Sequence, residues 1–344
     1  MKDHLYILGM KSGNVYTGPQ TVHIDITNAC NTNCVTCWDH SPSLKTPRSQ
    51  GWKKQQMSWE MFNSLTQDIA RMNSVKAVIL SGMGEPFLNP YIYQMIAQCK
   101  EYGWHTTVLT NGLKCDPGRV LASDVDMLLI SVNGVTPKSY TAFHPNLTPK
   151  DFERLCEILG EFASAGKRFK QVQVIISENY QELVEMVKFA HNYQASQITF
   201  KLASLGEGTE IWTISNEQRE ELLTLLIPLA KNMAKKLEVK TNLDVFEQQV
   251  AIGSLATAPI ESIGCYMGWV YSRITVDGTI LYCCSKEVVV GSLTEAPFSQ
   301  HWYGKKWQEL RERLRSGNYF NSCHQCGKLN QNFKWKQRVE EELT

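Results

Sequence analysis

The sequence predicts an α/β fold, a partial barrel of six βα units followed by a small α+β unit rich in cysteine. Three observations carry this expectation. Six strand-like runs alternate with helix-like segments between residues 21 and 205, the pattern of parallel βαβ units with right-handed crossovers. A stretch of about 180 residues is too short for a closed eight-fold barrel and suits six units. After Gly264 the pattern changes to short strands around an Asp-Gly turn, with cysteines on either side. The expected divisions are an N-terminal extension over 1–20, the α/β core over 21–205, and a helix and connector over 206–263. The cysteine-rich unit covers 264–330 and a tail covers 331–344.

Each element has its own signal. Thr21–Thr27 alternates apolar and polar residues, with Val22, Ile24 and Ile26 on one face. Met57–Met72 places Met61, Leu65, Ile69 and Met72 at helical spacing, and Ser58 suits its start. Val75–Leu80 reads as a buried strand, Tyr91–Tyr102 as a helix, and Thr106–Leu109 as a strand running into the Asn111-Gly112 turn. Val125–Val132 is the fourth strand, Lys150–Ala165 a helix, Val172–Ile176 the fifth strand, Tyr180–Asn192 a helix and Ile198–Leu202 the sixth strand. Ser215–Lys236 is expected as one long helix, kinked at Pro228. Residues 241–264 read as a connector, followed by a hairpin around Asp277-Gly278 and a helix over Trp302–Arg315.

Composition narrows the function. Hydrophobic residues make up 43% of the 344, enough for a real core, and 35 basic against 34 acidic residues leave a net charge of +1. That balance argues against coating nucleic acid by bulk electrostatics. No apolar run approaches a membrane span, and the first residues, with Asp3 among them, do not form a signal peptide. A cytoplasmic protein is expected, with neither nucleic acid nor membrane as a partner. Eleven cysteines in a reducing compartment, an odd number, do not suggest a disulfide framework. Cys99, Cys115 and Cys156 lie singly and read as small buried hydrophobes; the other eight are grouped.

Cys30, Cys34 and Cys37 form a CxxxCxxC loop directly after the first strand. Three soft thiolates on one loop suit an iron–sulfur cluster with one open iron. A zinc ion would need a fourth ligand, and His40 is available, so the spacing alone leaves both open. Near the C-terminus, Cys265 precedes the hairpin, Cys283 closes it, and Cys323 and Cys326 follow as CxxC. Four thiolates brought together from distant points suit one metal site, with a structural zinc as the competing reading.

In context, the first loop resembles that of the radical S-adenosylmethionine (radical SAM) superfamily, in which the third cysteine is followed by an aromatic residue, here Trp38. Other motifs fall in order at the ends of later strands. Gly82-Met83-Gly84-Glu85 stands where the family carries Gly-Gly-Glu and binds the amino group of S-adenosylmethionine. Thr110-Asn111-Gly112 ends the third strand. Ser131 and Asn133 end the fourth, where the family contacts ribose, and Ser177 follows the fifth as a candidate for the methionine carboxylate. The resemblance implies a 4Fe-4S cluster on Cys30, Cys34 and Cys37 whose open iron chelates S-adenosylmethionine. Its reductive cleavage gives a 5′-deoxyadenosyl radical that abstracts hydrogen from an unactivated C–H bond. A one-electron donor such as flavodoxin or ferredoxin is implied as partner. The C-terminal pattern resembles the twitch domain, a truncated SPASM-like unit, and implies an auxiliary 4Fe-4S cluster on Cys265, Cys283, Cys323 and Cys326. Cys284 is left over, either as a neighbour or alternative ligand of that cluster or as a hydrogen-atom donor of the kind used by radical epimerases.

The substrate is less legible. Twenty residues before the first strand are too few for a peptide-recognition wing, which favours a small molecule. The loop over residues 41–56 carries Lys45, Arg48, Lys53 and Lys54 with no acid, a solvated loop or a clamp for an anionic substrate or an acidic donor. Glu207 and Glu210 follow the last strand and either orient hydroxyl or amino groups of a substrate or cap the next helix. His40, His144 and Trp212 lie near plausible site edges. The leading expectation is oxidation or epimerisation of a sugar, aminocyclitol or nucleotide-linked sugar, the branch the cluster pattern resembles. Radical modification of a peptide is the alternative, and a zinc-binding structural or interaction protein is the reading from another class.

Overall fold

Among the described residues nine strands hydrogen-bond into one open sheet in the order β6-β5-β4-β3-β2-β1-β7-β8-β9. The computed structural model describes residues 2–342. The strands are β1 Thr21–Asp25, β2 Ala77–Ser81, β3 His105–Thr110, β4 Met127–Ser131, β5 Phe169–Ile175, β6 Gln197–Leu202, β7 Tyr271–Ile274, β8 Thr279–Leu281 and β9 Val289–Ser292. Strands β1 to β6 pair in parallel, in sequence order, as βαβ units demand. The six expected strands are all present, and the open sheet is the α/β architecture anticipated.

The helices form where capping and apolar spacing coincide. Ser58 accepts a hydrogen bond from the Met61 amide at 3.2 Å and opens the helix Trp59–Arg71. That helix buries Phe62, Leu65, Thr66 and Ile69. A capping box of Thr148 and Asp151 opens Pro149–Ser164, which buries Phe152, Leu155, Ile158, Leu159 and Phe162. Both pack on Val22, Ile24, Val78, Leu80, Val108, Leu128 and Ile130 from the sheet. Each such side chain stabilises the fold by roughly 1.5–3 kcal/mol.

Several details depart from expectation. Residues 241–264 are not a plain connector: Leu243–Ile252 is a helix that buries Leu243, Phe246 and Val250 against the last βα unit. Ser215–Lys236 is continuous, but Leu222–Leu226 is wound as a π-helix, with the Ile227 amide on the Leu222 carbonyl. This wider turn accommodates Pro228, which has no amide hydrogen to donate. The expected helix Trp302–Arg315 is two, Phe298–Trp302 and Lys305–Arg315, parted at Gly304. The N-terminal extension forms the helix Lys2–Ser12, and the C-terminal tail lies largely in the helix Leu329–Glu341. They meet on the cysteine-rich unit: Tyr6, Ile7, Met10 and Trp335 cluster with Met267, Trp269, Val270 and Tyr271.

The C-terminal hairpin is not a separate sheet. Strand β7 pairs in parallel with β1, Thr21 opposite Tyr271 and His23 opposite Arg273, while β8 and β9 add in antiparallel fashion. The main core continues across the junction through Ile274, Ile280, Tyr282, Trp302 and Trp307. Among the described residues no helix is long and apolar enough to cross a membrane.

Candidate active site

The CxxxCxxC loop is seated on the loop that follows β2. The Gly84 amide donates to the Thr27 carbonyl at 3.3 Å and the Glu85 amide to the Ala29 carbonyl at 2.7 Å. No side chain fits between them: a Cβ at Gly82 would lie 2.2 Å from the Thr27 oxygen, and one at Gly84 2.0 Å from the Ala29 oxygen. This close approach is what the two glycines provide. The Thr32 hydroxyl lies 3.3 Å from Cys30 Sγ and 3.4 Å from Cys34 Sγ, and the His40 amide donates to Cys37 Sγ at 3.3 Å. Burial pushes all three thiols up, Cys34 to about 12, so metal binding must displace protons from them.

The other motif residues take definite places. Glu85 is buried and its carboxylate is spent within the protein, accepting from the Phe87 amide at 3.1 Å, the Thr110 hydroxyl at 2.6 Å and the Asn111 amide at 2.7 Å. It ties the end of β2 to the end of β3. Asn133 adopts a left-handed backbone, with φ of 59°, and its Oδ1 accepts from the Val174 amide at 2.9 Å. Ser131 ends β4 and Ser177 follows β5, both half-buried. Trp38 is half-exposed and its indole N–H donates to the Ser204 carbonyl at 2.6 Å, spanning from the cysteine loop to the loop after β6.

A charged network lines the sheet face away from the helices. His23, Asp25, Ser81, Tyr271 and Arg273 share that face through the registers of β1, β2 and β7. Arg273 Nε and Nη2 donate to the two oxygens of Asp25 at 2.7 and 3.0 Å; the Ser81 hydroxyl donates to Asp25 at 3.0 Å. His23 reaches Ser81 Oγ at 2.5 Å and the Tyr271 hydroxyl at 2.9 Å. Burial, with Arg273 and Lys328 nearby, holds His23 neutral. Burial opposes the Arg273 charge, but Asp25 more than offsets it, and the guanidinium is held above its usual value. Sequence reasoning missed this network because alternation on β1 marks His23 and Asp25 as solvent-facing. The available signal was that strands of a parallel sheet are covered on both faces, so polar residues there line an interior.

The C-terminal cysteines share one space, although among the described residues no three His, Cys, Asp or Glu side chains are drawn together closely enough to hold a metal ion as they stand. Cys265, Cys283, Cys323 and Cys326, with Cys284, line one cavity of about 660 Å³. Trp38 and Ser204 line the same cavity, which therefore opens onto the first cysteine loop as well. Burial pushes Cys265 to about 12 and Cys326 to about 11. The Ser285 amide donates to Cys283 Sγ at 3.4 Å and Asn332 Nδ2 to Cys326 Sγ at 3.7 Å. Cys283 and Cys284 act on each other: contact with Cys283, helped by Lys328 and Arg273, brings Cys284 down to about 6.

The four surface candidates are placed differently. Arg48 Nε donates to buried Asp39 at 2.8 Å, so this cation is already paired. Lys45 is exposed, and its amide donates to the Glu207 carbonyl at 2.8 Å, joining the basic loop to the loop after β6. Glu210 accepts from the Gly208 amide at 2.7 Å and caps its own turn. Glu207 is exposed, with a left-handed backbone at φ of 58°. His144 is buried with Nδ1 on the Tyr140 carbonyl at 2.8 Å. His40 is buried beside Trp52, their rings 6.0 Å apart, with Nε2 lacking a partner.

Soft thiols in two groups, with amide N–H groups aimed at their sulfurs, are the donor set that iron–sulfur clusters take. All eleven cysteines are free. Fold and donor set together define a cluster-binding α/β enzyme.

Residues 24–190 match the radical SAM superfamily and residues 265–327 match the SPASM iron-sulfur cluster-binding domain. The chain thus carries a radical SAM domain followed by a SPASM-type cluster domain, which imply S-adenosylmethionine and iron–sulfur clusters as its cofactors. It is 23% identical over 310 residues to the AdoMet-dependent heme synthase of Methanosarcina barkeri, covering 86% of this chain and 85% of that one. Its fold is similar to that of Streptococcus suis SuiB bound to precursor peptide SuiA, with a TM-score of 0.65 and 18% identity, covering 94% of this chain and 73% of SuiB. It is equally similar to anSMEcpe with bound AdoMet and the Cp18Cys peptide, with a TM-score of 0.65 and 13% identity, covering 95% of this chain and 98% of that one.

Proposed function

We propose that this chain is a two-cluster radical enzyme that modifies a peptide substrate. The observation that carries the reading is the shared cavity. Trp38, next to Cys37, and the C-terminal thiols line one space, so a substrate at its Trp38 side lies between the two cysteine loops. Leu255, Ile260, Met267, Val288 and Leu314 form much of its wall. A peptide, with apolar side chains and a polar backbone, suits a wall that sets this apolar surface beside Ser285, Lys286, Glu287 and Lys328. SuiB and anSMEcpe, two proteins of similar fold, bind peptides, which adds support for a peptide over the sugar anticipated from the sequence.

In this reading Cys30, Cys34 and Cys37 hold the first cluster, and Cys265, Cys283, Cys323 and Cys326 the auxiliary one. When bound and reduced, the first cluster and S-adenosylmethionine supply a 5′-deoxyadenosyl radical that abstracts hydrogen. The chain's own residues bind and orient. The backbone of Gly82, Met83 and Gly84 faces the cosubstrate amino group, with Glu85 holding that loop in place. Ser131, Asn133 and Ser177 lie toward its ribose and carboxylate. Trp38 walls the cavity and restricts water. Cys284 faces the substrate. Exposed Lys45 and Lys54, with Lys53 beside them, offer a docking patch to an acidic flavodoxin or ferredoxin in a reducing cytoplasm.

The test is anaerobic turnover of the reconstituted full chain with S-adenosylmethionine and dithionite against two panels, peptides and sugars. The expected result is 5′-deoxyadenosine formation with a mass change on a peptide. A ketone or epimer formed only from a sugar overturns the substrate class. Absence of 5′-deoxyadenosine in every arm overturns the enzyme.

A further inference from the structure

The sheet face that carries Asp25 and Arg273 holds more positive charge than negative. The strand registers continue this face from Arg273 on β7 to Lys201, which stands opposite Val174 near the end of β6. Both lie toward the carboxyl ends of parallel strands, where such sheets bind ligands. The Lys201 side chain is open to solvent, yet burial still pushes its amine down, as expected of a cation within a concavity. Lys328 enters from the C-terminal unit, two residues after Cys326. Its Nζ lies 4.0 Å from the centre of the Tyr271 ring, and the residue lines the cavity of about 660 Å³. The turn that presents it packs on Cys284: a Cβ at Gly327 would meet Cys284 Sγ at 3.5 Å.

The acids nearby are already committed. Asp25 takes Arg273 through Nε and Nη2, whose Nη2 also reaches Met83 Sδ at 3.6 Å; Nη1 makes no hydrogen bond among the described residues. Asp39 holds Arg48 and Lys286. Glu287, on the cavity wall, is exposed and accepts from the Ser322 amide at 3.1 Å. Lys328 feels two other cations, Arg273 and Lys201, together with the Cys284 and Cys283 thiols, and no carboxylate. Like charges gathered on a concave surface repel one another, and an entering anion relieves that cost; a cleft lined by one sign also concentrates such ligands. Arg273 stands beside Met83 in the loop after β2, and Lys328 beside the C-terminal thiols. An anion that touches both lies between the two, in the path of the substrate.

We propose that Lys328, Lys201 and Arg273 form a carboxylate-binding subsite, so that the substrate peptide is held by an acidic side chain or by its own free C-terminus. The two lysines supply mobile point charges, and Arg273, fixed by Asp25, supplies a directed N–H through Nη1. The inference deepens the peptide reading given above and rests on it.

The test immobilises the reconstituted full chain with S-adenosylmethionine under anaerobic conditions. It is offered degenerate peptide mixtures of two kinds, one ending in a free carboxylate and one in an amide, and retained peptides are compared with the input by mass spectrometry. A carboxylate-bearing class is expected to be enriched about tenfold or more, the scale of a charge-assisted contact. Enrichment of Asp or Glu within the amide mixture identifies a side chain as the source; enrichment of the free-acid mixture regardless of Asp or Glu identifies the C-terminus. Lys328→Met and Lys201→Met are each expected to lose most of the enrichment, and Lys328→Arg and Lys201→Arg to keep most of it. Lys235→Met, which removes an exposed lysine of the Ser215–Lys236 helix, is expected to match the parent. Iron analysis accompanies each variant, and the solvent-open Lys201 gives a variant that retains both clusters. Retention without preference for a carboxylate overturns the proposal, as does a preference that survives Lys201→Met or falls equally in Lys235→Met. Retention of no peptide from either mixture sinks the peptide reading itself, which keeps the two failures distinct.

Discussion

Lys286 Nζ lies 3.2 and 3.1 Å from the two carboxylate oxygens of Asp39. Asp39 stands two residues after Cys37, and Lys286 three residues after Cys283, so one ion pair ties the two cysteine-bearing loops together. Asp39 is buried, Lys286 and Arg48 are about half-exposed, and Arg48 shares the same carboxylate at 2.8 Å. Asp39→Ala is expected to destabilise the chain by about 2 kcal/mol, since it removes charged hydrogen bonds to a buried acceptor. Lys286→Met is expected to cost less, because Arg48 keeps the carboxylate partnered. Urea unfolding of both variants checks the order; equal losses would show that Lys286 alone holds Asp39.

Gly84→Ala is expected to expel the loop after β2 from its seat, because the new methyl would lie 2.0 Å from the Ala29 oxygen. Backbone rather than a flexible side chain stands in the way, so the CxxxCxxC loop must shift. At least a tenfold weakening of S-adenosylmethionine binding is expected, measured by its perturbation of the cluster's paramagnetic signal, while auxiliary iron is retained.

Alanine in place of Cys30, Cys34 or Cys37 is expected to abolish formation of 5′-deoxyadenosine and lower iron from about eight atoms per chain to about four. Cys326→Ala is expected to lose the other half while still cleaving S-adenosylmethionine without product. Iron analysis with product chromatography reads both. An equal iron loss with zinc in its place would restore the structural-metal reading.

Cys284→Ala is expected to keep both clusters and cosubstrate cleavage but to reduce substrate modification at least tenfold. If iron falls instead, Cys284 is a ligand. If modification is unchanged, the thiol is a bystander to the chemistry.

Stability is expected to fall in mild acid through His144. Burial holds its imidazole down to about 4 against an ordinary value of 6.5. Between those values the unfolded chain takes a proton that the folded chain refuses, so stability is present above pH 6.5 and is lost as pH falls toward 4. The loss from this group approaches about 3 kcal/mol. His144→Gln, which can still bond to the Tyr140 carbonyl, is expected to flatten the slope of unfolding free energy between pH 6.5 and 4.5. An unchanged slope would assign the acid sensitivity to other groups, His23 among them.

The six parallel strands and the cysteine groups were legible because each depends on local pattern: period-two alternation in Thr21–Thr27, apolar runs such as Val75–Leu80, and thiols at fixed spacing. The helix Leu243–Ile252 was not, since no side-chain cap marks its start at Asn242, although Leu243, Phe246 and Val250 stand at helical spacing. The functional candidates divided along the same line. Cys30, Cys34 and Cys37 share one short loop and needed no fold to be grouped. Glu85 reads as a ligand in a motif, yet its carboxylate is consumed by Thr110, Asn111 and Phe87.

By itself the sequence determined the βα order and the grouping of the cysteines along the chain, because alternation and spacing are local properties. Only the tertiary structure decided that β7 would lie beside β1, bringing Arg273 to Asp25, Lys286 to Asp39 and the auxiliary thiols to the cavity shared with Trp38. Those meetings join residues more than 200 positions apart, and no local periodicity encodes them. They follow from which strand edge remained open for the hairpin and from the burial gained when it closed there.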